Sequence, residues 1–372
     1  MTQEIAWDLT PLFKSLDDPE IAKTIKMTSK TAIDIENKFK GKINIPEMTP
    51  EILLELLQTT ENLKLPIDRV FQFAYLSASV DQTNKQAQAL LNEAQTALID
   101  FDKRLSFMKI EIGKLLAERK VEFLDSPILS NYHHYLEKIL RSHPFTLSET
   151  EEQLILEKDQ FGVNEWEKLQ YKWLGTRSFE LEIEGKTETI PFGKYIGYAS
   201  HSKREVRKEA ITKVLGKLGE DAEIFATCLR AICADHVQTS KRRKYPNYME
   251  SSLIINDITL EMIEILISAV EANIDLYKEG LLVKGKALGT PKLLGEDFYA
   301  EIPSDEELKY NWEDTKEIVL ETFYEFDSEI GDYIQSFFDG NRIDASPRQG
   351  KAVGFCSSDY SSQSAFILLS FT

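Results

Sequence analysis

Apolar residues recur at helical spacing through most of this chain, and that periodicity sets its fold class. Between Asn84 and Ala117 the stripe Ala87, Leu90, Leu91, Ala94, Leu98, Phe101, Leu105, Met108, Ile112 and Leu115 predicts one long amphipathic helix. Ahead of it, Ile21, Ile25, Ala32, Ile35 and Phe39 mark a helix from Pro19 to Phe39. Thr49-Pro50 supplies an N-cap with proline at the first helical position, opening a helix through Leu57. Val70, Phe73 and Ala74 mark another. Consecutive amphipathic helices on short links predict an antiparallel bundle. It is assigned to residues 1–117 as an N-terminal helical domain.

Residues 118–195 read as a helical segment ending in a bridging hairpin. Val121 to Ser142 continues the helical pattern with a break at Asp125-Ser126-Pro127. Ser148 and Glu151 have the spacing of a capping box, and Trp166 to Trp173 is helical again. The period then changes from 3.6 to 2. Phe179, Leu181 and Ile183 alternate with Glu180, Glu182 and Glu184, Gly185-Lys186 turns, and Thr187 to Ile190 returns. Helices are expected over 202–218, 221–243 and 260–288, with two more in 312–338 divided near Asp327-Ser328. The fold class is mainly α with small β-hairpins.

The last stretch has its own character. Ala352 to Cys356 is a short apolar run, Ser357 to Ser364 carries turn chemistry, and Ala365 to Phe371 is a second apolar run. This predicts a hairpin apolar enough to need cover on at least one face.

Charge and cysteine content narrow the function classes. Sixty-two acidic residues against 44 basic ones give a net charge of −18, which disfavours a nucleic-acid partner. No apolar run is long enough to span a membrane. Met1 to Asp8 lacks the basic and apolar regions of a signal peptide. With three sparse cysteines, Cys228, Cys233 and Cys356, the expectation is reduced thiols and a cytoplasmic location.

Gly354-Phe355-Cys356-Ser357-Ser358, followed by Phe366-Ile367-Leu368-Leu369-Ser370-Phe371-Thr372, resembles a particular family segment. It lies just upstream of the zinc-binding helix in the oligoendopeptidase F family, the bacterial branch of the thimet-type zinc metallopeptidases. Trp7-Asp8-Leu9, the run Ser202 to Ala210, the run Tyr245 to Glu250 and the stretch from Trp312 onward resemble the family in the same order. The resemblance implies a helical N-terminal domain followed, over 196–372, by the upstream part of a helical zincin-type catalytic domain, incomplete here. It implies a zinc-dependent metallo-endopeptidase that hydrolyses oligopeptides. The H-E-x-x-H helix is expected beyond Thr372, so the chain reads as truncated just before it. Zinc is the cofactor implied for a complete member. The implied partners are an oligopeptide substrate and the missing C-terminal catalytic segment.

Inside this chain the histidines are His133, His134, His143, His201 and His236, and none forms H-E-x-x-H. His133 and His134 are adjacent, so on a helix they point about 100° apart. His134 and Glu137 share a face but read as solvated surface. Cys356 has no histidine placed by sequence to activate it, and Lys241 to Lys244 reads as a solvated basic run at a helix end. No catalytic residue and no metal ligand is assigned, and the chain alone is expected to be inactive and free of zinc.

What it can supply is a strand edge that an extended peptide joins through main-chain hydrogen bonds. The candidate substrate-binding residues are Gly354, Phe355, Cys356, Ser357, Ser358, Phe366, Leu368 and Ser370, with Ala365 to Phe371 as the edge. The competing reading of both runs is plain core hairpin. The rival function is a non-catalytic helical peptide-binding or scaffold protein. A further expectation is that Phe366, Ile367, Leu368 and Leu369 lie exposed for want of the second half of their domain.

Overall fold

The computed structural model describes residues 4–290, 292–302, 310–359 and 364–371. Helix α1 (Pro19–Phe39) is capped by Asp18, whose carboxylate accepts from the Glu20 amide. Helix α2 (Pro50–Val80) starts at Thr49, whose hydroxyl accepts from the Ile52 amide, with Pro50 in the first turn. Two helices were expected here and one forms, running through Pro66. Proline there removes one intrahelical hydrogen bond. Leu63, Ile67 and Val70 stay buried on one stripe across it, so side-chain packing holds the helix together.

The reverse happens next. The single helix expected over 84–117 is α3 (Lys85–Arg104) and α4 (Ser106–Leu124), parted at Leu105. The Leu105 backbone leaves the helical region (φ −95°, ψ 5°) and the Ser106 hydroxyl donates to the Lys103 carbonyl at 2.8 Å. An unbroken apolar stripe does not reveal such a break, because Leu105 is itself buried in the core.

A 3-10 turn over Pro127–Tyr132 leads into α5 (His133–Ser142). Ser148 and Glu151 form the expected capping box of α6 (Glu149–Phe161), and α7 (Val163–Thr176) follows. Strands β1 (Ser178–Ile183) and β2 (Lys186–Pro191) pair antiparallel as expected. Phe179, Leu181 and Ile190 pack with Trp173, Leu174, Ala210 and Val214, which fixes the hairpin to α7 and to the helix over Arg204–Glu220. Then come α8 (Tyr195–Ala199), α9 (Arg204–Glu220), α10 (Ala222–Arg243) and α11 (Glu250–Asn256). The stretch 260–288 divides at Asn273 into α12 (Leu260–Ala272) and α13 (Ile274–Ala287). Helices α14 (Trp312–Phe326) and α15 (Ser328–Asp339) part at Asp327, which caps α15.

The C-terminal sheet departs most from expectation. It has three strands, β3 (Ile343–Asp344), β4 (Phe355–Asp359) and β5 (Ser364–Leu368), in the order β3-β5-β4. Ser357 and Ser358, assigned to the turn, lie in β4; the rest of that turn, 360–363, falls outside the described residues. Phe366 and Leu368 are 3% and 1% exposed. They share a core with Trp7 and Phe13 of the entry segment, Ile67, Val70 and Phe73 of α2 and Leu90 of α3. Their expected exposure is therefore wrong: the strand finds its cover on α2 and the entry segment.

Apolar surface is exposed elsewhere. Ile265, Leu266 and Ile267 on α12 and Leu276, Leu282 and Val283 on α13 all face solvent. Exposed apolar side chains in this number favour association. The purified chain is expected to self-associate and bind a hydrophobic dye, and Leu266→Glu should reduce both signals. Light scattering that shows a monomer with no dye response would contradict this, and so would a patch variant that behaves like the parent.

Candidate peptide-binding edge

Lys351 and Asp344 organise the site. The Lys351 ammonium donates to the carbonyls of Asp344 (3.1 Å), Ser346 (2.9 Å) and Leu369 (2.6 Å). It also pairs with Asp344 Oδ1 at 2.6 Å, while Arg348 takes Oδ2 at 2.8 Å. The Lys351 side chain is 2% exposed and that of Asp344 is fully buried. Burial pushes the Lys351 ammonium below its ordinary range, and the hydrogen bond to Asp344 opposes that. One buried cation thus joins β3, the loop after it and the end of β5. This clamp was missed in the sequence; its only trace there is the charged Asp344 between Ile343 and Ala345.

The sheet has one covered edge and one open edge. Beside β3, the amides of Ala345 and Ser346 donate to the Ile5 carbonyl, and the Asp8 amide donates to the Asn341 carbonyl. The entry segment 5–8 therefore covers that side. Strand β5 is central: it pairs with β3 in parallel and with β4 antiparallel. The amides of Leu369 and Phe371 continue onto the carbonyls of Asp344 and Ala345. Ser364 to Leu368 pair with β4, and Ile367 to Phe371 bond toward Arg342 to Ala345, which overturns the expectation that Ala365 to Phe371 is a continuous open edge. On the far side of β4 no strand pairs among the described residues.

The register sorts the candidate residues. Phe355 lies opposite Leu368, and Ser357 opposite Phe366, on the face that meets the N-terminal core. Cys356 opposite Ile367 and Ser358 opposite Ala365 share the other face, where Cys356 and Ser358 are exposed. Gly354 sits where a Cβ would lie 3.0 Å from the Leu368 carbonyl oxygen, so the chain enters β4 through a close approach. Gly354, Phe355, Cys356, Ser357 and Ser358 thus come together on one accessible strand. Phe366 and Leu368 do not belong with them, since their side chains are buried on the opposite side of the ladder from the open edge. Ser370 lies elsewhere, its hydroxyl against Gly193 in the turn before α8, where a Cβ would come within 2.7 Å.

The histidines do not converge. His134 pairs with Asp257, and His133 lies 3.5 Å from Glu137. His201 Nδ1 accepts from the Lys203 amide, and His236 Nε2 contacts the Tyr248 carbonyl at 2.7 Å. Among the described residues no group of three or more His, Cys, Asp or Glu side chains is placed to hold a metal. This donor set does not fit zinc, and no chemical step is routed through it. Cys228 is buried and Cys356 exposed, both as free thiols. Within the basic run read as solvated, Arg243 instead grips Glu152 with two hydrogen bonds of 2.6 and 2.7 Å, tying α10 to α6.

The fold is similar to that of several solved peptidases. Among solved structures, oligoendopeptidase-F from Enterococcus faecium superposes with a TM-score of 0.66 at 20% identity, over 87% of this chain and 59% of that one. A structure of PZ peptidase A with an inhibitor gives 0.71 at 16% identity, over 94% and 59%. In sequence, the family profile described as Oligopeptidase F matches residues 111–174. Oligopeptidase PepF of Bacillus subtilis is 23% identical over 98% of this chain and 54% of its own length. Group B oligopeptidase PepB of Streptococcus agalactiae is 24% identical over 99% and 60%. The chain is thus similar to members of the oligoendopeptidase F family, and it spans between half and two thirds of the length of these relatives.

Proposed function

We propose that this chain serves an oligopeptide-hydrolysing peptidase and that its own part is to align the peptide along β4. The observation that carries this reading is the open edge of β4 in a sheet whose other edge is closed by residues 5–8. An extended peptide joining that edge gains main-chain hydrogen bonds whatever its sequence, which suits a peptidase of oligopeptides. The relatives' names support the activity. Zinc, which the resemblance implies for a complete member, would need ligands that the described residues do not provide. A cytoplasmic setting fits the net charge of −18, and no described helix is long and apolar enough to cross a membrane. The same edge also serves the rival function, a peptide-binding protein without hydrolysis. A quenched fluorescent peptide distinguishes the two: cleavage supports the peptidase, and binding without cleavage supports the binder.

Proline substitution tests the edge itself. Along an antiparallel pair, main-chain groups alternate between facing the partner strand and facing away. Placed singly from Phe355 to Ser358, proline is expected to act in two ways. At positions whose N–H faces β5 it should destabilise the sheet, by about 3 kcal/mol or more in a regular ladder. At the intervening positions it should weaken binding of a labelled oligopeptide, measured by fluorescence polarisation, with the thermal midpoint unchanged. If all four variants bind peptide as the parent does, β4 is not the docking edge.

A further inference from the structure

We propose that Phe71 and Tyr75 of α2 form an aromatic wall along the open edge of β4, selecting peptides with aromatic or large apolar side chains at alternate positions. The inference rests on the reading of β4 as the peptide edge and adds a side-chain preference to it.

The path of α2 relative to β4 carries the argument. The Ala352 amide donates to the Ser79 carbonyl at 2.8 Å, and the Gln82 amide to the Gly350 carbonyl at 2.7 Å. The end of α2 is thus tied to the approach to β4. One turn back along α2, Tyr75 meets Phe355 with ring centroids 5.2 Å apart. One turn further back, Phe71 stacks on Tyr75 at 6.2 Å and 13°. The helix therefore runs antiparallel to the strand, and its aromatic ridge follows β4 outward from Phe355.

The ridge lies on the outer flank. Trp7 contacts both Phe355 (6.4 Å) and Phe366 of β5 (6.1 Å), so it fills the side of Phe355 nearer β5. Tyr75 meets Phe355 and Phe71 but forms no aromatic pair with Phe366. It is 36% exposed, and Phe71 is half-buried, so both rings are accessible.

Spacing completes the case. Side chains on one face of an extended peptide repeat at about 6.7 Å, twice the rise per residue. The two ring centroids are 6.2 Å apart. Two successive side chains on the α2 side of a bound peptide therefore each meet one ring. Those on the other side share the face of Cys356 and Ser358 and meet no such wall. Aromatic pairing at one such contact amounts to about a three- to tenfold gain in affinity.

The test uses the chain itself and three labelled peptides of equal length: all-alanine, two phenylalanines at alternate positions, and two at adjacent positions. Fluorescence polarisation should rank the alternate peptide tightest. Tyr75→Ser should remove about three- to tenfold of its advantage over the all-alanine peptide. If that variant fails to fold, Tyr75→Leu keeps an apolar contact on Phe355 and should reduce the advantage of the alternate phenylalanine peptide over the all-alanine one. Equal binding of the alternate and adjacent peptides overturns the wall and leaves the edge standing, as does a preference that survives both Tyr75→Ser and Phe71→Ser. Absence of binding by all three peptides overturns both.

Discussion

Asp344→Ala is expected to lower the stability of the chain by about 3–5 kcal/mol, because it strands a buried cation. Asp344 is fully buried and is the ion-pair partner of Lys351, itself 2% exposed, and of Arg348. Removing the carboxylate leaves the Lys351 ammonium with three neutral carbonyls and no counter-charge. Its burial already lowers its proton affinity, so the loss should push it further toward the neutral form. Urea denaturation is the measurement. The double variant Asp344→Ala with Lys351→Met should recover a substantial part of the loss, since apolar replacement of a whole buried pair is often close to neutral. A single variant as stable as the parent would show that the clamp does not hold the sheet. Loss of the clamp should also release β4, so peptide binding should fall along with stability.

Helices were legible in this sequence and the relations between distant segments were not. The 3.6-residue stripe marks α1, α9 and α10 to within a few residues, because each buries one face against its neighbours. It failed at Leu105, where the break lies inside the core, and at Pro66, where burial on both sides overrides a local breaker. The Ser-rich stretch misled for a related reason. Serines signal turns through local hydrogen bonds, yet Ser357 pairs with Phe366 across a ladder that local sequence does not encode. The topology of the last sheet needed two facts from far away: Ile5 beside Ala345, and Trp7 against Phe366. With β5 central, the candidate edge moved one strand over, from the most apolar run to the less apolar one. That outcome has a physical logic. The strand with the most apolar side chains goes where both neighbours and a face cover it, and the strand carrying Ser357 and Ser358 is left at the rim.

The stretch Ser202 to Ala210, read as a family resemblance, has a structural reason that yields the second large effect. Asp297→Ala is expected to lower stability by about 3–5 kcal/mol at neutral pH. Arg204 grips the two Asp297 oxygens through Nε and Nη2, each at 2.9 Å, and Arg207 adds a bond of 3.0 Å. The Leu294 amide donates to the same carboxylate at 3.0 Å. Arg207 is nearly buried, and its remaining donors reach the carbonyls of His201, Ser202 and Glu296. Without Asp297 that charge is left buried and unpaired, while α9 loses its tie to the segment 294–300. The hydrogen bond from Arg204 leads the effects that hold the Asp297 carboxyl at about 2, below the ordinary 3.8. A depressed folded-state value means that the ionised form stabilises the fold. That contribution is complete well above pH 3.8 and is lost as pH falls toward 2. The stability gap between parent and variant should therefore hold constant from pH 7 to about pH 5 and narrow steadily below pH 4. Thermal midpoints of both proteins across that range test it. A gap that stays unchanged down to pH 2 would mean that the charge of Asp297 contributes nothing and that only its shape is needed between the two arginines.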